Sequence, residues 1–127
     1  MRGRFWIAGG ALLAGAGVAA GAIGAHYLKE KPEFDLQAYE VAVRYQMFHA
    51  LALILVGILS GRVRSAWLTA AGTAFLVGMV LFSGGLYAWL FTGVKPFVYV
   101  VPVGGVTWII GWLLAALGAL GFQSETE

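Results

Sequence analysis

The charged residues of this chain are gathered into a few short clusters, and the intervals between the clusters are long and apolar. Charges fall at Arg2/Arg4, from Lys29 to Arg44, at Arg62/Arg64, at Lys95 and at Glu125/Glu127. A transmembrane helix needs roughly 20 mostly apolar residues, and all four intervals meet that length. The chain has 127 residues, of which 61% are hydrophobic and 11% charged, whereas soluble domains carry about 25% charged residues. A domain this small leaves much of its surface outside, so the apolar excess must face lipid or partner proteins. The expected fold is therefore all-α, an integral membrane four-helix antiparallel bundle. It forms a single transmembrane domain over residues 1–127, with spans near 5–27, 41–60, 66–91 and 102–122 and a second helix that starts at about 36.

Each interval carries its own boundary signals. The first could pass for a signal peptide, but it is longer than the usual apolar core of one. It also repeats small residues every four positions, Gly17, Gly21 and Ala25 beside Ala16, Ala20 and Gly24, a spacing that lets helix backbones approach closely in lipid. Pro32 marks the loop that follows, and Asp35 is placed to cap the second helix. Trp67, Trp89 and Phe91 bracket the third span as interfacial anchors. Gly84 and Gly85 in its later half predict a kink or a very close contact. The β-branched run Val98-Tyr99-Val100-Val101 suggests an extended connection, with Pro102 as the first helical residue of the last span. Gly104, Gly105 and Gly111 leave a smooth stripe there, so the expected packing glycines are Gly17, Gly21, Gly24, Gly84, Gly85, Gly104, Gly105 and Gly111.

Polar chemistry enters the apolar sequence mainly at the start of the second span. Arg44 follows Glu40 by one turn, in the favourable orientation for an ion pair. It also sits where its guanidinium can snorkel back to the headgroups. Tyr45, Gln46 and His49 lie deeper and must find partners inside the protein. For His49 two readings stand side by side, a structural hydrogen bond between helices and a proton-titrating or ligand-contacting group. His26 ends the first span at the same membrane face, and Ser83 and Tyr87 offer hydroxyls on the third. Arg44, Tyr45, Gln46, His49, His26, Ser83 and Tyr87 are thus the candidate ligand- or proton-binding residues, expected to form one connected cluster.

Other chemistries find little footing. There is no cysteine, which removes disulfides and thiolate metal sites. Two histidines on different helices are the only support for a metal or haem, so no metal and no cofactor is expected. Neither a Gly-x-Ser-x-Gly elbow nor a Walker loop is present. No catalytic residues can be named, and the reading leans away from an enzyme. The net charge of +2 comes without a basic stripe, which argues against nucleic acid as a partner. Arg2, Arg4, Arg62 and Arg64 on one side are matched in number by Lys29, Lys31, Arg44 and Lys95 on the other. Because Arg44 belongs to the helix and Arg2 and Arg4 flank the first span closely, the count is read as placing both termini in the cytoplasm.

Four motifs together resemble one family. They are Gly21-Ala22-Ile23-Gly24-Ala25-His26, Val43 through Leu53, Phe82-Ser83-Gly84-Gly85-Leu86-Tyr87, and Pro102-Val103-Gly104-Gly105 with Gly111-Trp112. In this order they are similar to the YgdD-like family of small, approximately four-span membrane proteins, a domain of unknown function. The resemblance covers nearly the whole chain and implies a multi-pass protein of the bacterial inner membrane. Gly85 departs from it, since members often carry a serine there. The resemblance brings no catalytic assignment.

The leading functional reading is a structural or protein-interaction role in the bilayer, as a homo-oligomer or with other membrane proteins. The alternative is an oligomeric transport or small-ligand-binding component using the polar cluster around Arg44 and His49.

Overall fold

The computed structural model describes residues 3–122, which form helices α1 (Arg4–His26), α2 (Leu36–Ser60), α3 (Ala66–Leu81), α4 (Ser83–Thr92) and α5 (Pro96–Ala119), with a 3-10 turn at Leu28–Glu30. Four helical stretches are long and apolar enough to cross a membrane, α3 and α4 together making the third. Asp35 caps α2, its carboxylate accepting from the Ala38 amide at 3.0 Å.

The third span is divided between α3 and α4 at Phe82, whose ψ of −71° lies at the edge of the right-handed helical region. The hydrogen-bond ladder continues through it. The Phe82 amide donates to Gly78 at 2.7 Å, and the Phe82 carbonyl accepts from Leu86 at 3.0 Å. This junction falls just ahead of the Ser83-Gly84-Gly85 segment that the sequence marks.

The connection from α4 to α5 corrects the extended segment expected at 98–101. Gly93 ends α4 in the left-handed conformation at φ 72°, and Pro96 occupies the first turn of α5. Helix therefore begins six residues before Pro102, which lies inside it. A helix satisfies its own backbone in hydrocarbon, and that requirement outweighs the β-propensity of three valines. Pro102 removes one rung of the ladder and faces outward.

α1 lies along α2 and α5 along α3, while α2 packs on α3 and α4, so the two hairpins meet through their inner helices. The core at that junction contains Ala50, Leu53, Val56, Ala71, Phe75, Met79 and Trp108. In lipid such packing is held by dispersion and interhelical hydrogen bonds more than by the hydrophobic effect.

The flanking helices use an unexpected seam. The buried residues of α1 are Gly10, Gly17 and Gly24, and Gly3 just before it is buried too. In α5 they are Gly104, Gly111 and Gly118, together with Trp108. Both series step by seven, close to two helical turns, which keeps them on one face as helices wrap at a shallow angle. A Cβ on Gly10 would stand 2.6 Å from the Ala50 carbonyl oxygen, and one on Gly104 would stand 2.5 Å from the Phe82 amide nitrogen. Gly57 of α2 answers Gly3, since its own Cβ would lie 2.7 Å from the Gly3 oxygen.

Candidate functional site

Polar side chains join the helices in two separate networks, one tying α2 to α1 and α4 and the other tying α2 to α5. On the α1 side, the Gln46 amide nitrogen donates to the Leu13 carbonyl at 2.9 Å, and Tyr87 donates its hydroxyl to the Gln46 amide oxygen at 2.7 Å. Tyr39 donates to the Ala20 carbonyl. Ser83, 1% exposed, donates to the Ala42 carbonyl at 2.8 Å. α1, α2 and α4 are tied together by these bonds.

Two of the accepting carbonyls lie four residues before a seam glycine. Helical side chains lean toward the N-terminus and cover the preceding turn, so a glycine uncovers the carbonyl one turn earlier. Gly17 thereby opens Leu13, and a Cβ there would sit 3.4 Å from the Gln46 amide nitrogen. Gly24 opens Ala20, and a Cβ there would come within 2.8 Å of the Tyr39 ring. Sequence and hydrogen bonding are coupled at these positions: small residues serve polar contact as well as close approach.

The second network faces α5. His49 is 4% exposed, and its ring lies 3.8 Å from that of Trp108, stacked at 4°. The indole of Trp112 donates to His49 Nε2 at 3.1 Å. An indole N–H can only donate, so Nε2 accepts and the proton resides on Nδ1. Nδ1 then donates to the Tyr45 carbonyl at 2.8 Å. Both ring nitrogens are occupied and the imidazole is neutral in this arrangement. Trp108 donates to the Phe75 carbonyl at 2.9 Å, over Gly78, where a Cβ would stand 2.3 Å from the indole.

The expected single cluster is thus divided. Gln46, Ser83 and Tyr87 belong to one network and His49 to the other. Tyr45 joins only through its backbone, while its ring stacks on Trp108. His26 is exposed. Arg44 is also exposed and lines a surface cavity with Glu40, Tyr39, Gly21 and Gly24, away from His49. Five consecutive residues make about 1.4 turns, which sets Arg44 and His49 on different faces of α2.

Among the expected packing glycines, Gly17, Gly24, Gly85, Gly104 and Gly111 stand where a Cβ would be crowded. Gly21, Gly84 and Gly105 have nothing nearer than 3.7 Å. Sequence reasoning missed Trp108 and Trp112 as donors and Tyr39 as a tie to α1. The signal was present, because an indole or phenol in hydrocarbon needs a partner.

Residues 20–105 match the family described as a protein of unknown function, DUF423. A UPF0382 membrane protein of Staphylococcus epidermidis is 40% identical over 116 residues, covering 89% of this chain and 93% of the relative. The UPF0382 membrane protein YwdK of Bacillus subtilis is 37% identical over 115 residues, covering 89% and 94%. The UPF0382 inner membrane protein YgdD of Escherichia coli K12 is 34% identical over 109 residues, covering 85% and 83%. The chain belongs to the DUF423/UPF0382 membrane protein family. No solved structure matches it significantly. Membership makes it a multi-pass membrane protein, and the four apolar helices are its candidate spans. Within the stretch that matches the family lie Tyr39, Gln46, Ser83 and Tyr87, the donors of the first network, and His49 of the second, whereas Trp108 and Trp112 fall beyond it.

Proposed function

We propose that the protein is a non-catalytic helical scaffold of the cell membrane that associates with a second copy of itself or with other membrane proteins. The observation that carries this reading is the outward face of α1. Ala11, Gly15 and Ala19 recur every four residues and all three are exposed. Open space lies where a Cβ on Gly15 would stand. Small residues at this spacing form helix contact faces in lipid, and this stripe is not the one already engaged with α2. The hydrogen bonds of Gln46, His49, Ser83 and Tyr87 point inward to other helices, which supports a scaffold held rigid from within.

Because the sequence has no cysteine, Gly15→Cys supplies a unique thiol. In native membranes that variant should form an oxidised dimer or a bismaleimide adduct with a partner, well above an Ile109→Cys variant on the exposed side of α5. Equal or absent cross-linking at the two positions would remove the support for this reading. Both termini are assigned to the cytoplasm in the same proposal, on the strength of the arginines at the α1 start and the α2–α3 turn.

The alternative, an oligomeric transport or ligand-binding component, draws its support from Gln46 and Tyr87 instead of Arg44 and His49. These two side chains, with Ser83, Leu13, Met79 and Gly84, line a mostly apolar groove of about 200 Å³. That reading expects an apolar molecule with one hydrogen-bonding group to co-purify with the protein. Tyr87→Phe should release it, as mass spectrometry of the extracted protein would report.

A further inference from the structure

A cavity lies far from both networks, at the end of the bundle where α1 begins and α2 turns into α3. It measures about 420 Å³, and Arg4, Arg62 and Arg64 all line it. Ser60 lines it as well and also borders a neighbouring cavity of about 230 Å³, which shares Arg64. The Ser60 hydroxyl oxygen is buried and has no hydrogen-bond partner among the described residues. A buried hydroxyl without a partner calls for a ligand or water to satisfy it.

Charge is distributed unequally between the two ends. Among the described residues, Arg4, Arg62 and Arg64 occupy this end without an acidic side chain. At the other end Lys29, Lys31, Arg44 and Lys95 are balanced by Glu30, Glu33, Asp35 and Glu40. The Arg4 guanidinium lies 5.0 Å over the Phe5 ring, while Arg62 and Arg64, whose guanidiniums are planar forks of donors suited to phosphate oxygens, border a space at the level of a span terminus. That is where lipid headgroups lie. Gly3 and Gly57, pressed together at its base, leave the space free of side chains from either residue.

We propose that this cavity binds the phosphodiester of an anionic phospholipid headgroup, with Arg62 and Arg64 as the principal contacts and Ser60 donating its hydroxyl. The site is independent of the scaffold reading, which concerns the outer face of α1. Native mass spectrometry of the full-length protein in nonionic detergent, titrated with phosphatidylglycerol, phosphatidylcholine or inorganic phosphate, tests it. Phosphatidylglycerol should bind more tightly than phosphatidylcholine. The Arg62→Gln/Arg64→Gln variant should weaken phosphatidylglycerol binding about thirtyfold, the scale of two cations at an anionic surface. Ser60→Ala should weaken it several-fold, whereas Arg62→Lys/Arg64→Lys keeps most of the binding and shows that the turn still folds. Lys29→Gln/Lys31→Gln, at the opposite end, should leave it unchanged. An equal loss in that lysine variant, or equal binding of the two lipids, would overturn the proposal. Inorganic phosphate binding as tightly as phosphatidylglycerol would identify a soluble anion as the ligand and overturn the lipid assignment.

Discussion

His49 shows how much a single polar residue is worth in this molecule. It receives one hydrogen bond, gives another and stacks on an indole. His49→Leu would leave the Trp112 indole without its acceptor and should cost about 1–2 kcal/mol, the upper range for interhelical bonds in membranes. His49→Gln keeps a donor and an acceptor and should lose less than half of that. Unfolding in a detergent titration is the measurement, and equal losses in the two variants would show that stacking outweighs hydrogen bonding here. Part of this site was legible in the sequence: a histidine and a glutamine in an apolar span must face protein. Which partners they take was not, because Trp112 lies 63 residues from His49 and helix periodicity alone does not say which helices adjoin. Backbone carbonyls such as Leu13 and Ala20 leave no mark of their own in a sequence, and only the glycine one turn later points to them.

At the level of the helix, the glycine seams separate two roles that look alike in composition. Gly104→Ala would drive a methyl against the Phe82 amide, whereas Gly105→Ala next to it meets only ring atoms at 3.8 Å or beyond. The first should destabilise by about 1–3 kcal/mol, as overpacking does, and the second should be neutral. Gly10→Ala and Gly9→Ala form the same contrast on α1, since nothing lies within 4 Å of a Cβ on Gly9. Thermal melts of the four purified variants check both pairs, and similar shifts within each pair would mean that the seam is not the contact. The four long apolar helical stretches could be read from charge spacing, and the Asp35 cap from its position before the apolar run. The reading of small residues found a four-residue stripe and passed over the seven-residue one, which is sparser and begins at Gly3, in the basic start of the chain. The start of α5 was misplaced because strand propensity measured in water carries little weight where every amide must be bonded within its own segment.

For the whole molecule, orientation is open to a direct test. With both termini in the cytoplasm, Val63→Cys in the α2–α3 turn should react with a permeant thiol reagent and resist an impermeant one added outside. Glu33→Cys in the first loop should react with both. The reverse pattern would invert the assignment. The long reach of the Trp112 to His49 bond also bears on biogenesis. The α1–α2 hairpin can zip together along its glycines as soon as both segments have left the ribosome and entered the bilayer, but His49 must then wait, with an unmet nitrogen, until the last segment is synthesised and delivers Trp112. Nascent chains halted before residue 112 lack this donor, so the hydrogen bonding of His49 is completed only by the final helix.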